Sequence, residues 1–203
     1  MITIGLTGSI GMGKTTAGEY FREAGVPVHD SDAAVHMLYR GRAAPLIEAA
    51  FPSCTENGVV NRSALGAWVL VDQPALKKLE AIIHPLVAEA RRDFIRSAQR
   101  AGFRCVVLDI PLLIETGVHR SVDIVAVVSA PAHVQRARVL QRPGMTSERF
   151  SAISAQQLPN AEKQRLAHVL IDSGGNRSFL RRQVRDLIRA AMGQAAKGIF
   201  TNA

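Results

Sequence analysis

Apolar side chains at Ile2, Ile4 and Leu6 alternate with small or polar ones, and the run stops at Gly8. A period of two over so short a stretch predicts a buried strand over Ile2–Thr7. A glycine-rich turn follows, and Thr15–Ala24 reads as a helix closed by Gly25. Val26–Asp30 predicts a second short strand. From Ser31 to Arg100 the pattern is helical in pieces, punctuated by Gly41, Pro45, Pro52, Gly58, Pro74 and Pro85. His84-Pro85 lies inside one helical run, where the missing proline N–H predicts a break. Strand patterning resumes at Arg104–Ile110 and Val122–Ser129. Pro131–Arg142 predicts a helix interrupted by Pro143-Gly144, and Ser147–Gln157 predicts another. His168–Asp172 reads as a last strand. Ser178–Met192 reads as a last helix, with Leu180, Val184, Leu187, Ile188 and Ala191 on one face and Arg181, Arg182, Arg185 and Arg189 largely on the other. Residues 193–203 read as a frayed tail.

Strands separated by helices predict an α/β fold, with a mostly parallel sheet covered by helices on both sides. The roughly 70 helical residues between the second and third strands exceed a simple crossover and predict an inserted helical subdomain.

Composition narrows the class. The 203 residues are 47% hydrophobic and 21% charged, which supports a packed core. No stretch approaches the ~20 apolar residues of a bilayer span. The opening M-I-T-I-G-L-T-G carries no basic segment or cleavage site, so the expected compartment is the cytoplasm. Two cysteines, Cys54 and Cys105, are too few for a disulfide framework and are not spaced as metal ligands. The net charge of +8 is concentrated: residues 131–203 hold 12 basic and 4 acidic residues, which is the entire excess. That asymmetry predicts an anionic partner, polyphosphate or nucleic acid. Aromatic residues make up only 5%, with one tryptophan, and do not interleave with the basic ones, which argues against a nucleic-acid partner.

The chemistry begins at residues 8–15, G-S-I-G-M-G-K-T, which match G-x-x-x-x-G-K-[ST] between a buried strand and a helix. Glycines let successive N–H groups turn inward around phosphate oxygens. Lys14 supplies a point charge for the β- and γ-phosphates, the Thr15 hydroxyl can ligate Mg²⁺, and the helix adds its positive end. Asp30 and Asp32 stand at the end of the second strand, at the sheet edge where ligands bind. One of them, Asp32 by preference, can accept the proton of an acceptor hydroxyl or orient metal-bound water; Asp30 or Ser31 can instead cap the next helix. Gln135, Arg138 and Arg142 share a helical face, and two arginines four apart repel unless an anion lies between them. With Pro143-Gly144 as a hinge, they predict a lid carrying arginine over a transferring phosphoryl group. An ordinary solvated arginine face is the alternative. Asp109 ends an apolar strand either as a second metal-orienting carboxylate or as a turn residue.

These residues together resemble the dephospho-CoA kinase family. The likeness is carried by G-L-T-G-S-I-G-M-G-K-T-T at 5–16, V-P-V-H-D-S-D at 26–32, I-I-H-P-L-V at 82–87, I-P-L-L-I-E at 110–115, Q-R-A-R-V-L-Q-R-P-G-M at 135–145, Q-L-P at 157–159 and L-I-D at 170–172. The resemblance implies a P-loop kinase core with an inserted helical substrate subdomain and a helical lid. On that basis residues 1–30, 101–130 and 160–203 form the nucleotide-binding core, 31–100 the CoA-substrate subdomain and 131–159 the lid. It implies Mg²⁺-dependent transfer from ATP to the ribose 3′-hydroxyl of dephospho-CoA, by a monomer or small homo-oligomer with no nucleic-acid or membrane partner.

By resemblance, Gly11, Met12, Gly13, Lys14, Thr15 and Thr16 bind ATP. Asp32 is the base and, with Thr15, a metal ligand; Lys14, Arg138 and Arg142 act on the transferred group. Asp30, His84, Pro111, Leu112, Leu113 and Glu115 line the acceptor site. The chain departs from the family pattern at Ser31, where alanine is usual, at Asp109, where relatives often carry an aliphatic residue, and at Gln156-Gln157, where they often carry an arginine. A nucleoside or nucleotide kinase on the same core, and a basic nucleic-acid-dependent ATPase, are the competing readings.

Overall fold

A computed structural model describes residues 1–70 and 72–197. It separates into two units: Met1–His29 with the chain from Ala98 onward, and Asp30–Ser97.

The first unit is built on a five-stranded sheet. Its strands are β1 (Ile2–Thr7), β2 (Val28–Asp30, whose last residue belongs to the second unit), β5 (Cys105–Asp109), β6 (Ile124–Ser129) and β7 (Val169–Asp172), in the order β2-β5-β1-β6-β7. The β1–β5, β1–β6 and β6–β7 pairings are parallel. All residues of β1 and β5 are buried, as expected of central strands covered on both faces. Helix α1 (Lys14–Glu23) packs on the sheet through Ala17, Tyr20 and Phe21, and α9 (Arg177–Lys197) packs through Leu180, Val184, Leu187, Ile188 and Ala191. The arginines at 181, 182, 185 and 189 are exposed. A face that buries five apolar side chains at roughly 1.5–3 kcal/mol for each large one explains why this helix forms despite its charge. Its helix runs past Met192 to Lys197; residues 198–203 of the expected tail lie outside the described residues. Helices α6 (Ala132–Leu140), α7 (Ser147–Ala155) and α8 (Asn160–Arg165) connect β6 to β7.

The register brings the carboxyl ends of the strands to one edge. Leu6 pairs with Asp109 and with Ala126, and Ser129 pairs with Asp172. The glycine-rich loop, the turn at 110–117, the start of α6 and the loop at 173–176 therefore all leave the sheet on the same side.

The second unit contains α2 (Ser31–Tyr39), α3 (Ala44–Ala50), α4 (Arg62–Val69) and most of α5 (Gln73–Arg100), with a small hairpin of β3 (Thr55–Glu56) and β4 (Val59–Val60). Its core gathers Leu38, Ile47, Phe51, Val60, Leu65, Leu79 and Ile83, and Trp68 meets Phe51 edge-on at 6.1 Å. Two local features differ from the sequence reading. The hairpin turns at Asn57-Gly58, both with positive φ (51° and 75°), the conformation a two-residue hairpin requires. Helix α5 also passes through Pro85 without a break. Ala81, whose carbonyl loses its partner to the proline, is exposed like Pro85 itself, so water can satisfy that group. Buried Leu79 and Ile83 hold the same helix to the core on its other face.

Candidate active site

The glycine-rich loop bridges β1 and α1, and its glycines are obligatory for two reasons. Gly11 and Gly13 have φ of +77° and +86°, in the region that L side chains avoid. A Cβ on Gly11 would also lie 2.4 Å from Val139 Cγ2 and 3.0 Å from the Gln135 carbonyl oxygen. Helix α6 therefore rests directly on the loop. Gly13 caps α1, whose first-turn N–H groups at Lys14, Thr15 and Thr16 are the unpaired donors found at every helix start. Met12 is committed to the fold: its N–H donates to Ser9 O at 3.1 Å, its carbonyl accepts from Ser173 Oγ at 2.7 Å, and its Sδ accepts from the Ala130 N–H.

Lys14 and Asp109 form an ion pair at 2.6 Å, with the Asp109 side chain 5% exposed and that of Lys14 18%. Leu6 and Asp109 are register partners, so the strand pairing itself brings the lysine of the loop and the carboxylate of β5 together. Thr15 is exposed at the start of the helix.

Arg138 sits on the face of α6 that meets the loop. Its Nη1 donates to Ser173 Oγ at 3.0 Å and its Nη2 to the Ser173 carbonyl at 2.7 Å. A Cβ placed on Gly13 would lie 3.5 Å from Arg138 Nη1. This arginine is thus already fastened beside the loop. Arg142, one turn further, is exposed, and its guanidinium has no hydrogen-bond or ion-pair partner among the described residues. The Pro143-Gly144 turn that follows is braced by Arg149, which donates to the Gly144 carbonyl at 2.7 Å.

The 110–115 turn divides its residues between core and surface. Thr7 Oγ1 donates to the Pro111 carbonyl at 2.9 Å, and Leu112 is exposed. Leu113, expected on the acceptor wall, is fully buried instead: it fills the space beside Gly5, where even a Cβ would come within 2.7 Å of its side chain. A side chain with no exposed surface cannot touch an acceptor. Glu115 turns to α8, where Lys163, itself fully buried, meets it at 2.7 Å; Glu115 also accepts from the Leu158 N–H at 2.9 Å. Burial pushes the Glu115 carboxyl up, but the Lys163 ammonium and the Leu158 N–H outweigh it and hold it below the usual carboxylate range.

In the second unit, Asp30 is the N-cap of α2 and accepts from the Ala33 N–H at 3.0 Å. Asp32 stands exposed in the first turn of the same helix, and its carboxylate has no partner among the described residues. His84 is exposed on α5.

Sequence reasoning missed three residues. Ser173 links the loop to Arg138, but it is one of several small residues after a strand and carries no motif. Lys163 looks like any lysine in a polar helix; only the structure shows it buried. Gln157 stands in the sequence only as part of a short motif and a departure from pattern, yet its Oε1 accepts from the Ile10 N–H at 3.0 Å.

The chain is similar to known proteins over most of its length. The dephospho-CoA kinase family model matches residues 2–178. A curated dephospho-CoA kinase of Mesorhizobium japonicum is 57% identical over 194 residues, covering 96% of this chain and 98% of the relative. A crystal structure of a Thermus thermophilus protein superposes with a TM-score of 0.80 at 33% identity, covering 93% of this chain and 97% of that one. The dephospho-CoA kinase from Campylobacter jejuni, at 23% identity and a TM-score of 0.72 with 98% of both chains covered, shares the fold. That fold is the P-loop kinase fold, with helices flanking a parallel sheet. The family match spans both units, the phosphate loop and the arginine-bearing helix, so the chain belongs to the dephospho-CoA kinase family.

Proposed function

We propose that this protein transfers the γ-phosphoryl group of ATP to the ribose 3′-hydroxyl of dephospho-CoA, giving coenzyme A and ADP. The observation that carries the reading is the loop itself. Glycines at positive φ, first-turn N–H groups and Lys14 belong to this one loop, and Arg138 is fastened beside it, in a chain of the dephospho-CoA kinase family. Gly11, Gly13, Lys14, Thr15 and Thr16 hold the polyphosphate. A cavity of about 370 Å³ beside Thr16, bordered by Tyr20 and Arg177, offers room for the nucleoside end.

Asp32 is the acceptor's base. Its carboxylate has to reach hydrogen-bond distance of the 3′-hydroxyl and take its proton as the O–P bond forms. Lys14 and Arg138 offset the charge that spreads over the phosphoryl oxygens in the transition state, and Arg142, whose guanidinium has no other partner among the described residues, is free to join them. Asp30, His84, Pro111 and Leu112 remain candidates for acceptor contacts; Glu115 contributes by holding the turn that carries Pro111 and Leu112.

The residues fit Mg²⁺. Among the described residues no cluster of three or more His, Cys, Asp or Glu could cage a metal. Magnesium in phosphoryl transfer needs only one or two protein ligands, because phosphates and water complete its shell. Thr15 can ligate it directly, and Asp32 or Asp109 can supply the carboxylate. When bound, the ion would neutralise charge on the β- and γ-phosphates. Among the described residues no helix is long and apolar enough to cross a membrane. We place the protein in the cytoplasm, as a monomer or small homo-oligomer, without nucleic-acid partners.

A coupled assay of ADP release with ATP, Mg²⁺ and dephospho-CoA tests the reading. Lys14→Ala and Asp32→Asn should each lose at least about a hundredfold in kcat/KM while keeping the native circular dichroism spectrum. Full activity in Asp32→Asn would reject the base assignment, and turnover with nucleosides but not dephospho-CoA would reject the acceptor.

A further inference from the structure

Residue Ile10, at the third position of the phosphate loop, is gripped by a glutamine at each of its two backbone polar groups. Gln135, on α6, donates from Nε2 to the Ile10 carbonyl at 2.8 Å. Gln157, just beyond α7, accepts at Oε1 from the Ile10 N–H at 3.0 Å. These two glutamines bracket the stretch that carries Arg138, Arg142 and α7. The contact is not incidental to a loose surface. Gln135 lies on the face of α6 that packs on Gly11, and the residue after Gln157 is clipped in turn, because the Leu158 N–H donates to Glu115, which the buried Lys163 holds. The Ile10 N–H is also spent on Gln157, so this peptide belongs to the framework of the loop and not to its phosphate-facing donors.

We propose that Gln135 and Gln157 are positioning residues that set the register between the phosphate loop and the arginine-bearing stretch by holding one shared residue, Ile10, at both of its backbone polar groups. The Ile10 N–H belongs to the Ser9–Ile10 peptide and the Ile10 carbonyl to the Ile10–Gly11 peptide, so the two grips together hold both peptide planes that meet at the Ile10 Cα. The loop is thereby kept in its anion-binding shape before nucleotide arrives, and Arg138 and Arg142 are referred to the same point. Removing either grip frees one of the two planes and lets Ile10 turn, so the second removal has little left to release. The inference rests on the nucleotide half of the proposed function and is independent of the acceptor.

Calorimetric titration with the magnesium complex of a non-hydrolysable ATP analogue tests it on the full chain, comparing wild type, Gln135→Met, Gln157→Met and the double variant. Methionine keeps the length of the side chain and removes its polar end. Each single change should weaken binding about fivefold to tenfold. The double variant should be within about twofold of the weaker single, because the two residues share one partner. In turnover, KM for ATP should rise in step while KM for the acceptor stays within about twofold, a split that general loss of structure would not give. Wild-type affinity in either single variant overturns the proposal, and so does a double variant whose loss is the product of the two. If a variant fails to fold, amide hydrogen exchange in the wild type decides: the Ile10 N–H should be protected before nucleotide is added, and fast exchange there refutes the grip. A wild-type protein that binds the analogue but does not phosphorylate dephospho-CoA would defeat the proposed function and leave this test intact.

Discussion

The pair formed by Glu115 and Lys163 invites an asymmetric mutational test. Lys163 has no exposed surface, whereas the Glu115 side chain is 17% exposed, and the two meet at 2.7 Å. Glu115→Gln leaves an ammonium group buried with an amide for company, and an unpaired buried charge costs about 3–5 kcal/mol. Lys163→Met leaves a carboxylate that still reaches water and still accepts from the Leu158 N–H, so the loss should be about 1–3 kcal/mol. Combining the two changes removes both charges and should cost no more than Lys163→Met alone. In a chain of this length the larger loss lowers Tm by about 6–20 °C. Urea unfolding followed by circular dichroism, with thermal melts as a cross-check, measures all three variants. A Glu115→Gln protein within about 1 kcal/mol of wild type, or a Lys163→Met protein that is the less stable of the two, would refute the reasoning.

Further outcomes follow from the same geometry. Because the Glu115 carboxyl is held below its usual range, its contribution to stability is complete above the unfolded value of about 4.3 and is lost as pH falls through the folded one. The stability gap between wild type and Glu115→Gln should therefore be flat from about pH 7 to 5 and narrow below about pH 4, as read by denaturant titration. Gly11→Ala forces a left-handed backbone, at about 1–2 kcal/mol, and drives a methyl into Val139. It should weaken ATP binding at least about tenfold, with partial recovery when Val139→Ala is added, measured by titration calorimetry. Asp109→Asn removes the counter-ion of Lys14. It should tighten Mg²⁺-free ATP binding, because Lys14 is no longer neutralised, yet lower kcat about 10- to 100-fold in the presence of Mg²⁺. Unchanged kcat would remove Asp109 from the reaction.

The strands and the phosphate loop were legible because their signals are local. Alternation over Ile2–Thr7 and the unbroken apolar run at Cys105–Leu108 are the marks of covered strands, and the spacing of Gly8, Gly13 and Lys14 carries its own chemistry. The helix through Pro85 was not legible, because whether Ala81's orphaned carbonyl meets water depends on which face the rest of α5 buries. The hairpin at 55–60 was passed over although Asn57-Gly58 announces it; two-residue strands are too short to show alternation. Leu113 and Glu115 lie in one short motif yet part ways, one into the core beside Gly5 and the other to Lys163. That division depends on neighbours more than forty residues distant in the chain, as does the meeting of Gln157 with Ile10. Local sequence indicates which residues have useful chemistry; packing decides which of them are used to hold the others.

If the loop at residues 8–15 hands a phosphoryl group to a ribose hydroxyl of dephospho-CoA, the product itself records it. Product analysis tests it most directly: incubate the purified chain with ATP, Mg²⁺ and dephospho-CoA, then locate the new phosphate by phosphorus NMR and tandem mass spectrometry. One product is expected, phosphorylated at the ribose 3′-oxygen, formed with equimolar ADP and absent with Lys14→Ala. Phosphate found on another atom, or ADP released at the same rate without dephospho-CoA, would contradict it.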